Sequence, residues 1–224
     1  MTVRFPEAPP RPAAKSASVV REALKAFFRG VATVFVLPLL AVWWLESRLI
    51  GRDRALEYAT EMLALYPGLT GRYLRRAFLI RVLAHCDPSA EIGFGVIFSK
   101  AGTSVDKNVY IGPRCHIGLA HLERDVLLAA GVHVTSGART HGMSDPSKPI
   151  RDQEGTRELV RIGAGTWVGS AAVVMTDVGA GSVVGAGAVV SKPLPDNVVA
   201  AGVPARVLHS RTPDHPPGER NGRG

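Results

Sequence analysis

Two hydrophobic periods divide the chain. From Arg54 to about Ala84 apolar residues recur at helical spacing: LEYATEMLALYPG closes on a Pro-Gly signal, and YLRRAFLIRVLAH follows it. On a helical wheel Arg72, Arg75 and Arg76 share one face, and Tyr73, Leu74, Ala77 and Phe78 share the other. That basic amphipathic helix suits an anionic surface, and it equally suits the solvated face of a core helix. After Ile92 the period becomes six. Val105, Ile111 and Ile117 are followed by Leu122, Leu128 and Val134, then by Ile162, Val168 and Val174, and then by Val178, Val184 and Val190. Alternating sandwich strands would show period two instead. Short strands joined by tight corners satisfy period six, with one aliphatic residue of each hexad pointing inward onto the coil below. A small residue often follows the aliphatic one, as in Ile111-Gly112 and Val168-Gly169, where glycine would permit a sharp bend.

Before the helical stretch, the uncharged run VATVFVLPLLAVWWL lies between Gly30 and Leu45. It falls short of the roughly 20 residues of a spanning helix, and Pro38 interrupts it, which favours a re-entrant or interfacial segment. Arg21, Lys25 and Arg29 precede it and Arg48, Arg52 and Arg54 follow it, so both flanks belong on the cytoplasmic side. Trp43 and Trp44 suit a membrane interface, and the competing reading is a buried helical hairpin. The Pro/Ala/Ser-rich residues 1–18 and the segment 209–224 lack any period and are expected to be a disordered lead and tail. Residues 19–86 then form a helical, membrane-associating region, and residues 90–208 the repeat domain with a loop at 137–160.

Composition narrows the partners only a little. With 27 Lys plus Arg against 19 Asp plus Glu, the net charge of +8 favours something anionic. No aromatic-studded basic stripe or zinc-knuckle spacing accompanies that charge, so no nucleic-acid partner is expected. Two cysteines, Cys86 and Cys115, form neither a disulfide framework nor a redox spacing, which fits a reducing cytoplasm.

Four motifs, SGARTHGMSDPSKPI, IGAGTWVGSAAVV, VVGAGAVVSKPLPDN and AGVPARVL, occur in this order. Through them and the hexads, the chain resembles the hexapeptide-repeat acyltransferases from about Ala90 to Leu208, particularly the O-acetyltransferases of colanic-acid and exopolysaccharide clusters. The resemblance implies an all-β left-handed parallel β-helix, here preceded by an α-helical segment. The hand comes from the resemblance alone, because parallel crossovers otherwise favour the right. It also implies a homotrimer, acetyl-CoA as acyl donor, no metal, and a saccharide acceptor that is free or lipid-linked. A lipid-linked acceptor would place the enzyme at the inner face of the cytoplasmic membrane.

The one long break in the period, between Val134 and Ile162, carries His141, which matches the family's catalytic histidine. Acyl transfer from a thioester to a hydroxyl needs a base that works near neutrality, and imidazole is suited to that. Asp145, in the HGMSDP run, would orient the imidazole, grip a sugar hydroxyl or simply order the loop, with Glu154 a weaker candidate. The resemblance places the donor along Trp167, Gly169, Ala186 and Gly187, with Lys192 and Arg206 toward its phosphates. Val203 stands where related sequences carry Asn, and His209 where some carry a second Arg. Two other functions compete. His116 and His121 have the spacing of zinc ligands in γ-class carbonic anhydrases, whose third histidine lies within the β-helix, whereas His85 here precedes the hexads. A non-catalytic β-helix scaffold would keep the repeat without the chemistry.

Overall fold

The computed structural model describes residues 16–212. Most of the segments expected to be disordered therefore lie outside the described residues, although the first helix already begins at Ser16 and the last strand runs to Ser210. Three helices come first: α1 (Ser16–Leu49), α2 (Arg52–Ala64) and α3 (Gly68–Val82). The Pro-Gly signal separates α2 from α3, with Pro67 directly preceding α3.

Sixteen short strands follow, laid down coil by coil. The first coil is β1 (His85–Cys86), β2 (Glu91–Ile92) and β3 (Ile97–Phe98), and the second is β4 (Ser104–Val105), β5 (Tyr110–Ile111) and β6 (His116–Ile117). The third is β7 (Ala120–Leu122), β8 (Leu127–Leu128) and β9 (His133–Val134), and the fourth is β10 (Val160–Ile162), β11 (Trp167–Val168) and β12 (Val173–Val174). The fifth has Val178 as a lone bridge, β13 (Val183–Val184) and β14 (Val189–Val190). Leu194 and β15 (Val198–Ala201) begin a sixth, on which β16 (Arg206–Ser210) folds back antiparallel. Equivalent strands pair in parallel into three sheets, ordered β1-β4-β7-β10, β2-β5-β8-β11-β13-β15-β16 and β3-β6-β9-β12-β14. The expected solenoid is therefore a parallel one.

All twelve inward positions read from the period are buried. Two residues before the aliphatic one stands a second, usually smaller buried residue, such as Val109, Cys115, Ala120 or Ala172. Where it is polar, its hydroxyl donates to a backbone carbonyl: Thr103 Oγ1 to Gly118 O at 2.7 Å, Thr166 Oγ1 to Gly179 O at 2.8 Å, and Ser182 Oγ to Pro195 O at 2.9 Å. The period also starts one coil earlier than the sequence suggests. Cys86, Ile92 and Phe98 are six apart and buried, with Cys and Phe standing where later coils place Val, Leu or Ile.

The glycines after the aliphatic positions do not make the bends. A Cβ on Gly112 would lie 2.7 Å from the Ala129 carbonyl carbon, and one on Gly93 2.7 Å from that of Gly112, so these positions are empty because the next coil occupies the space. The bends fall three residues before the aliphatic position, where φ is positive at Asn108, Arg114, Asp125, Gly131, Gly165 and Gly187.

The first coil would expose an open sheet edge, and α2 and α3 cover it. Leu56, Phe78, Leu79 and Val82 are fully buried there. Three side chains satisfy edge backbone groups: Thr60 Oγ1 accepts from Phe98 N at 3.2 Å, Asp53 Oδ1 accepts from Ala101 N at 3.0 Å, and Arg75 Nε donates to Ile92 O at 3.2 Å. Arg75 also donates to Leu63 O at 3.1 Å and Tyr66 O at 2.8 Å. It points inward, unlike Arg72 and Arg76, so the three arginines do not share one exposed face.

The helix α1 is continuous through Pro38, which corrects the expected interruption. Its 26-residue stretch Leu24–Leu49, with a mean hydropathy of 1.9 over an 18-residue window, is long and apolar enough to cross a membrane by length and composition. It is not the buried hairpin of the competing reading. Ala32, Val36, Leu39, Leu40 and Trp43 pack on the cap, with Trp43 edge-on to Phe78, while Phe27, Val34, Phe35 and Leu45 are exposed. The two tryptophans divide, Trp44 lying exposed beneath Arg48 with 5.1 Å from guanidinium to ring.

Gly112→Val destabilises the fold by about 1–3 kcal/mol in urea titration, because the added carbons have no space against the next coil. Burial raises the Cys86 thiol to about 12 and that of Cys115 to about 11, so neither forms appreciable thiolate at pH 8. A colorimetric disulfide reagent should therefore titrate no thiol at that pH until denaturant is added.

Candidate active site in the excursion between the third and fourth coils

Chain travel defines three corners: first to second sheet, second to third, and third to first. The excursion from Thr135 to Leu159 leaves at the third corner, between β9 and β10. Its base is pinned on the preceding coil, where Ser136 Oγ accepts from Leu119 N at 2.9 Å and Val160 N donates to Leu119 O at 3.0 Å. The two arms then pair with each other: Glu158 N donates to Ser136 O at 2.8 Å and Thr156 N to Arg139 O at 2.7 Å. Arg139 and Glu158 add an exposed ion pair at 2.9 Å. The closeness of the arms requires two glycines, since a Cβ on Gly155 would lie 2.5 Å from His141 N and one on Gly142 2.5 Å from Glu154 O.

His141 sits on this paired stem with an exposed side chain and, among the described residues, no hydrogen-bond or ionic partner. Asp145 belongs to the tip beyond it. Its carboxylate accepts from Ser147 N at 3.0 Å and Ser147 Oγ at 2.6 Å, and lies 3.4 Å from Lys148 Nζ. The Ser147 bonds hold this carboxyl below its ordinary range. Asp145 thus orders the turn and does not bond to the His141 ring. Gln153, which the sequence reading passed over, is the clamp of the tip. It accepts from Asp145 N at 3.0 Å and donates to Asp145 O at 2.8 Å and Lys148 O at 3.0 Å. A long polar side chain directly before the returning arm was the available signal. Glu154 contributes its backbone, against Gly142.

The residues assigned to the donor fall on different parts of the coils. Gly169, Ala186 and Gly187 meet at the second corner of the fourth and fifth coils, where Gly187 N donates to Ser170 O at 2.8 Å. The missing side chain of Gly169 is required by the next coil, since a Cβ would lie 2.5 Å from Ala186 N. Ala186 and Gly187 are exposed, and a Cβ on Gly187, whose φ is +67°, would enter open space. Trp167 is half exposed on the second sheet, between Leu127 and Val183. Lys192 is exposed at the third corner, two coils beyond the excursion, and Arg206 is exposed on β16.

The other histidines lie elsewhere. His116, on the third sheet, stacks on His133 with centroids 6.0 Å apart and lies 4.0 Å from Glu57; burial chiefly pushes its pKa below the ordinary imidazole value. His121, on the first sheet, bonds Asp106 Oδ2 at 3.1 Å, with His85 4.0 Å from the same carboxylate. Among the described residues, no group of three or more His, Cys, Asp or Glu is placed to hold a metal ion.

The fold and its period define the class: a parallel β-solenoid built on hexapeptide repeats. Residues 102–136 and 159–192 match the family described as hexapeptide repeat of succinyl-transferase, the two segments flanking the excursion. The chain is 36% identical over 123 residues to the "putative lipopolysaccharide biosynthesis O-acetyl transferase WbbJ" of Escherichia coli K12, covering 52% of this chain and 61% of that protein. It is 42% identical over 73 residues to the "probable acetyltransferase Rv3034c" of Mycobacterium tuberculosis, covering 32% of this chain and 24% of that one. It therefore spans under two thirds of either relative. A maltose O-acetyltransferase from Clostridium difficile 630 shares the fold, with a TM-score of 0.59 at 18% identity over 72% of this chain and 87% of that one.

The order of the tip depends on Gln153 and Asp145. Gln153→Ala should speed amide exchange across 143–152 several-fold while leaving the global unfolding midpoint unchanged. A carboxyl with a lowered folded-state pKa stabilises above its unfolded value and loses that contribution as pH falls through the folded one. The same amides should therefore lose protection on acidification below the ordinary carboxylate range.

Proposed function

We propose that the protein is an acetyl-CoA-dependent O-acetyltransferase that modifies a saccharide hydroxyl. The observation that carries this reading is an exposed His141 on a paired, glycine-tightened stem at the one long break in the period. The acetyltransferase relatives support it. Acceptor hydroxyl oxygen attacks the thioester carbonyl while His141 takes its proton; the tetrahedral intermediate collapses, the C–S bond breaks, and His141 returns the proton to the leaving sulfur. The products are the acetyl ester and free thiol. Backbone N–H groups would hold the oxyanion. The exposed small residues Ala186 and Gly187 suit an extended donor lying against backbone, with Trp167 flanking it and Lys192 and Arg206 as cations for its phosphates.

His141 and the Ala186–Gly187 corner lie on different corners of one chain. A closed threefold assembly, in which the excursion of one copy faces the second corner of the next, would unite them. Asp145 then acts by holding the tip in shape, or meets a sugar hydroxyl once the neighbour is in place.

The setting is the inner face of the cytoplasmic membrane, with a lipid-linked saccharide as the acceptor. An apolar helix with one face on protein and the other in solvent is unfavourable in water and suits lipid. Crossing the bilayer would carry the packed cap, with Arg72, Arg76 and Arg81, into hydrocarbon. Lying in the interface buries only the outer face of α1.

Thiol release from acetyl-CoA with free and lipid-linked saccharides tests the chemistry. His141→Ala should lower kcat by about 10²–10⁴ with unchanged folding, and Lys192→Ala or Arg206→Ala should raise the KM for acetyl-CoA with little change in kcat. Retained turnover in His141→Ala would refute the assignment. For the membrane, Phe27→Gln, Val34→Gln and Leu45→Gln combined should weaken vesicle flotation by at least about tenfold per residue.

A further inference from the structure

Beneath α1 the described residues form two adjoining cavities of opposite character. The first, about 360 Å³, is apolar, lying between α1 and α3 and walled by residues including Phe28, Phe35, Leu69 and Tyr73. The second, about 320 Å³, shares Leu69 and Tyr73 with it but is walled by Lys25, Arg29, Arg72 and Arg76. A pocket next to it also includes Arg29 and Arg76, together with Arg81. Glu91, the one carboxylate of the basic cavity among the described residues, is taken by Arg72 at 3.0 Å. Among the described residues neither Arg29 nor Arg76 has a carboxylate partner, and Arg76 is held over the Tyr73 ring at 5.1 Å. Arg81 fastens the base of this region, donating to Thr33 Oγ1 at 3.2 Å.

We infer that this pair of cavities binds one membrane lipid with a phosphate headgroup, the phosphate between Arg29 and Arg76 and the start of an acyl chain in the groove against Phe28 and Leu69. Charge complementarity selects the headgroup, because guanidinium forks match phosphate oxygens in geometry as well as charge. Continuity with an apolar groove selects a lipid over a free anion, since inorganic phosphate gains nothing from that wall. The position fits a lipid entering from the side, because Phe27 and Val34, each directly before a wall residue of the apolar cavity (Phe28 and Phe35), are exposed along α1. The inference rests on the interfacial placement of α1 and is independent of acyl transfer.

The test uses the full chain and two formats. In flotation, vesicles of phosphatidylcholine are compared with vesicles of phosphatidylcholine plus phosphatidate. In titration calorimetry, soluble dihexanoyl phosphatidate is compared with dihexanoyl phosphatidylcholine and inorganic phosphate. The wild type should prefer phosphatidate in both formats, and inorganic phosphate should bind far more weakly than the short-chain lipid. Arg29→Gln with Arg76→Gln should abolish the preference, and Lys107→Gln with Arg124→Gln, an equal loss of charge on the solenoid, should retain it. Leu69→Glu, at an exposed site on the shared wall, should abolish it without a folding burden. Equal losses in both charge pairs would mean general membrane attraction and would overturn the site, as would inorganic phosphate binding as well as the lipid. Phosphatidate binding in calorimetry without flotation on any vesicle would uphold the site and refute the interfacial placement of α1.

Discussion

Everything in this molecule depends on how closely one coil can lie on the next. Parallel strands about 4.8 Å apart leave room for side chains inside the prism and outside it, but not at several of the residues that follow an inward aliphatic, where the backbone of the neighbouring coil passes close by. Gly93, Gly112 and Gly169 are glycine for that reason. Once those positions are empty, the aliphatic column closes and carbonyl and amide groups are satisfied between coils. The corners then fall to Asn, Asp, Arg and Gly in the left-handed region. A lateral shift of one residue would bring side chains onto backbone at every corner, so the register is fixed throughout the stack.

A stack has two ends, and the chain treats them differently. At the far end it ends its own growth: β16 reverses and pairs antiparallel with β15. At the near end, helices supply hydrogen-bonding groups that a missing coil would have supplied. Thr60, Asp53 and Arg75 take over its bonds, and Phe78 and Leu56 replace its aliphatic column. A buried guanidinium without a carboxylate is costly in itself, and three carbonyls offset that cost while fastening α2 to α3 and both to the first coil. The helical region is thus the lid of the solenoid. Whatever surface binds α1 carries the whole stack with it.

The solenoid was legible because six-residue spacing is a local property: every inward residue from Val105 to Val190 is visible without knowing which coil it meets. The reading failed where identity depends on a neighbour. Cys86 and Phe98 fill the first coil at the proper spacing, yet they lack the aliphatic signature; they meet the second coil on one side only, and the helical cap covers the other. A helical wheel puts Arg75 beside Arg72 and Arg76 and cannot show that three carbonyls lie behind it. In the excursion, His141 stood out by its position in the break. The clamp by Gln153 and the occupation of the Asp145 carboxylate by Ser147 involve turn geometry that has no period to reveal it. Pro38 misled most directly. Proline removes one donor and strains one turn, but a helix of 34 residues packed along a cap absorbs that loss without breaking.

The two halves of the candidate site raise a geometric demand that one chain does not meet. A coil with three sheets has three corners, and the excursion leaves by the third while the exposed Ala186–Gly187 backbone lies at the second. Within a rigid, register-locked stack, neither can migrate toward the other by loop motion alone, because the base of the excursion is fixed to Leu119 and its arms to each other. In the proposed threefold assembly, a second copy would place His141 over that corner. On that proposal, the rigidity that makes the solenoid easy to read would make assembly a condition for chemistry. The same proposed assembly would align several lids on one side, where an array of α1 helices would meet a planar surface together. Multivalent contact of that kind raises effective affinity without any new interaction within a single chain.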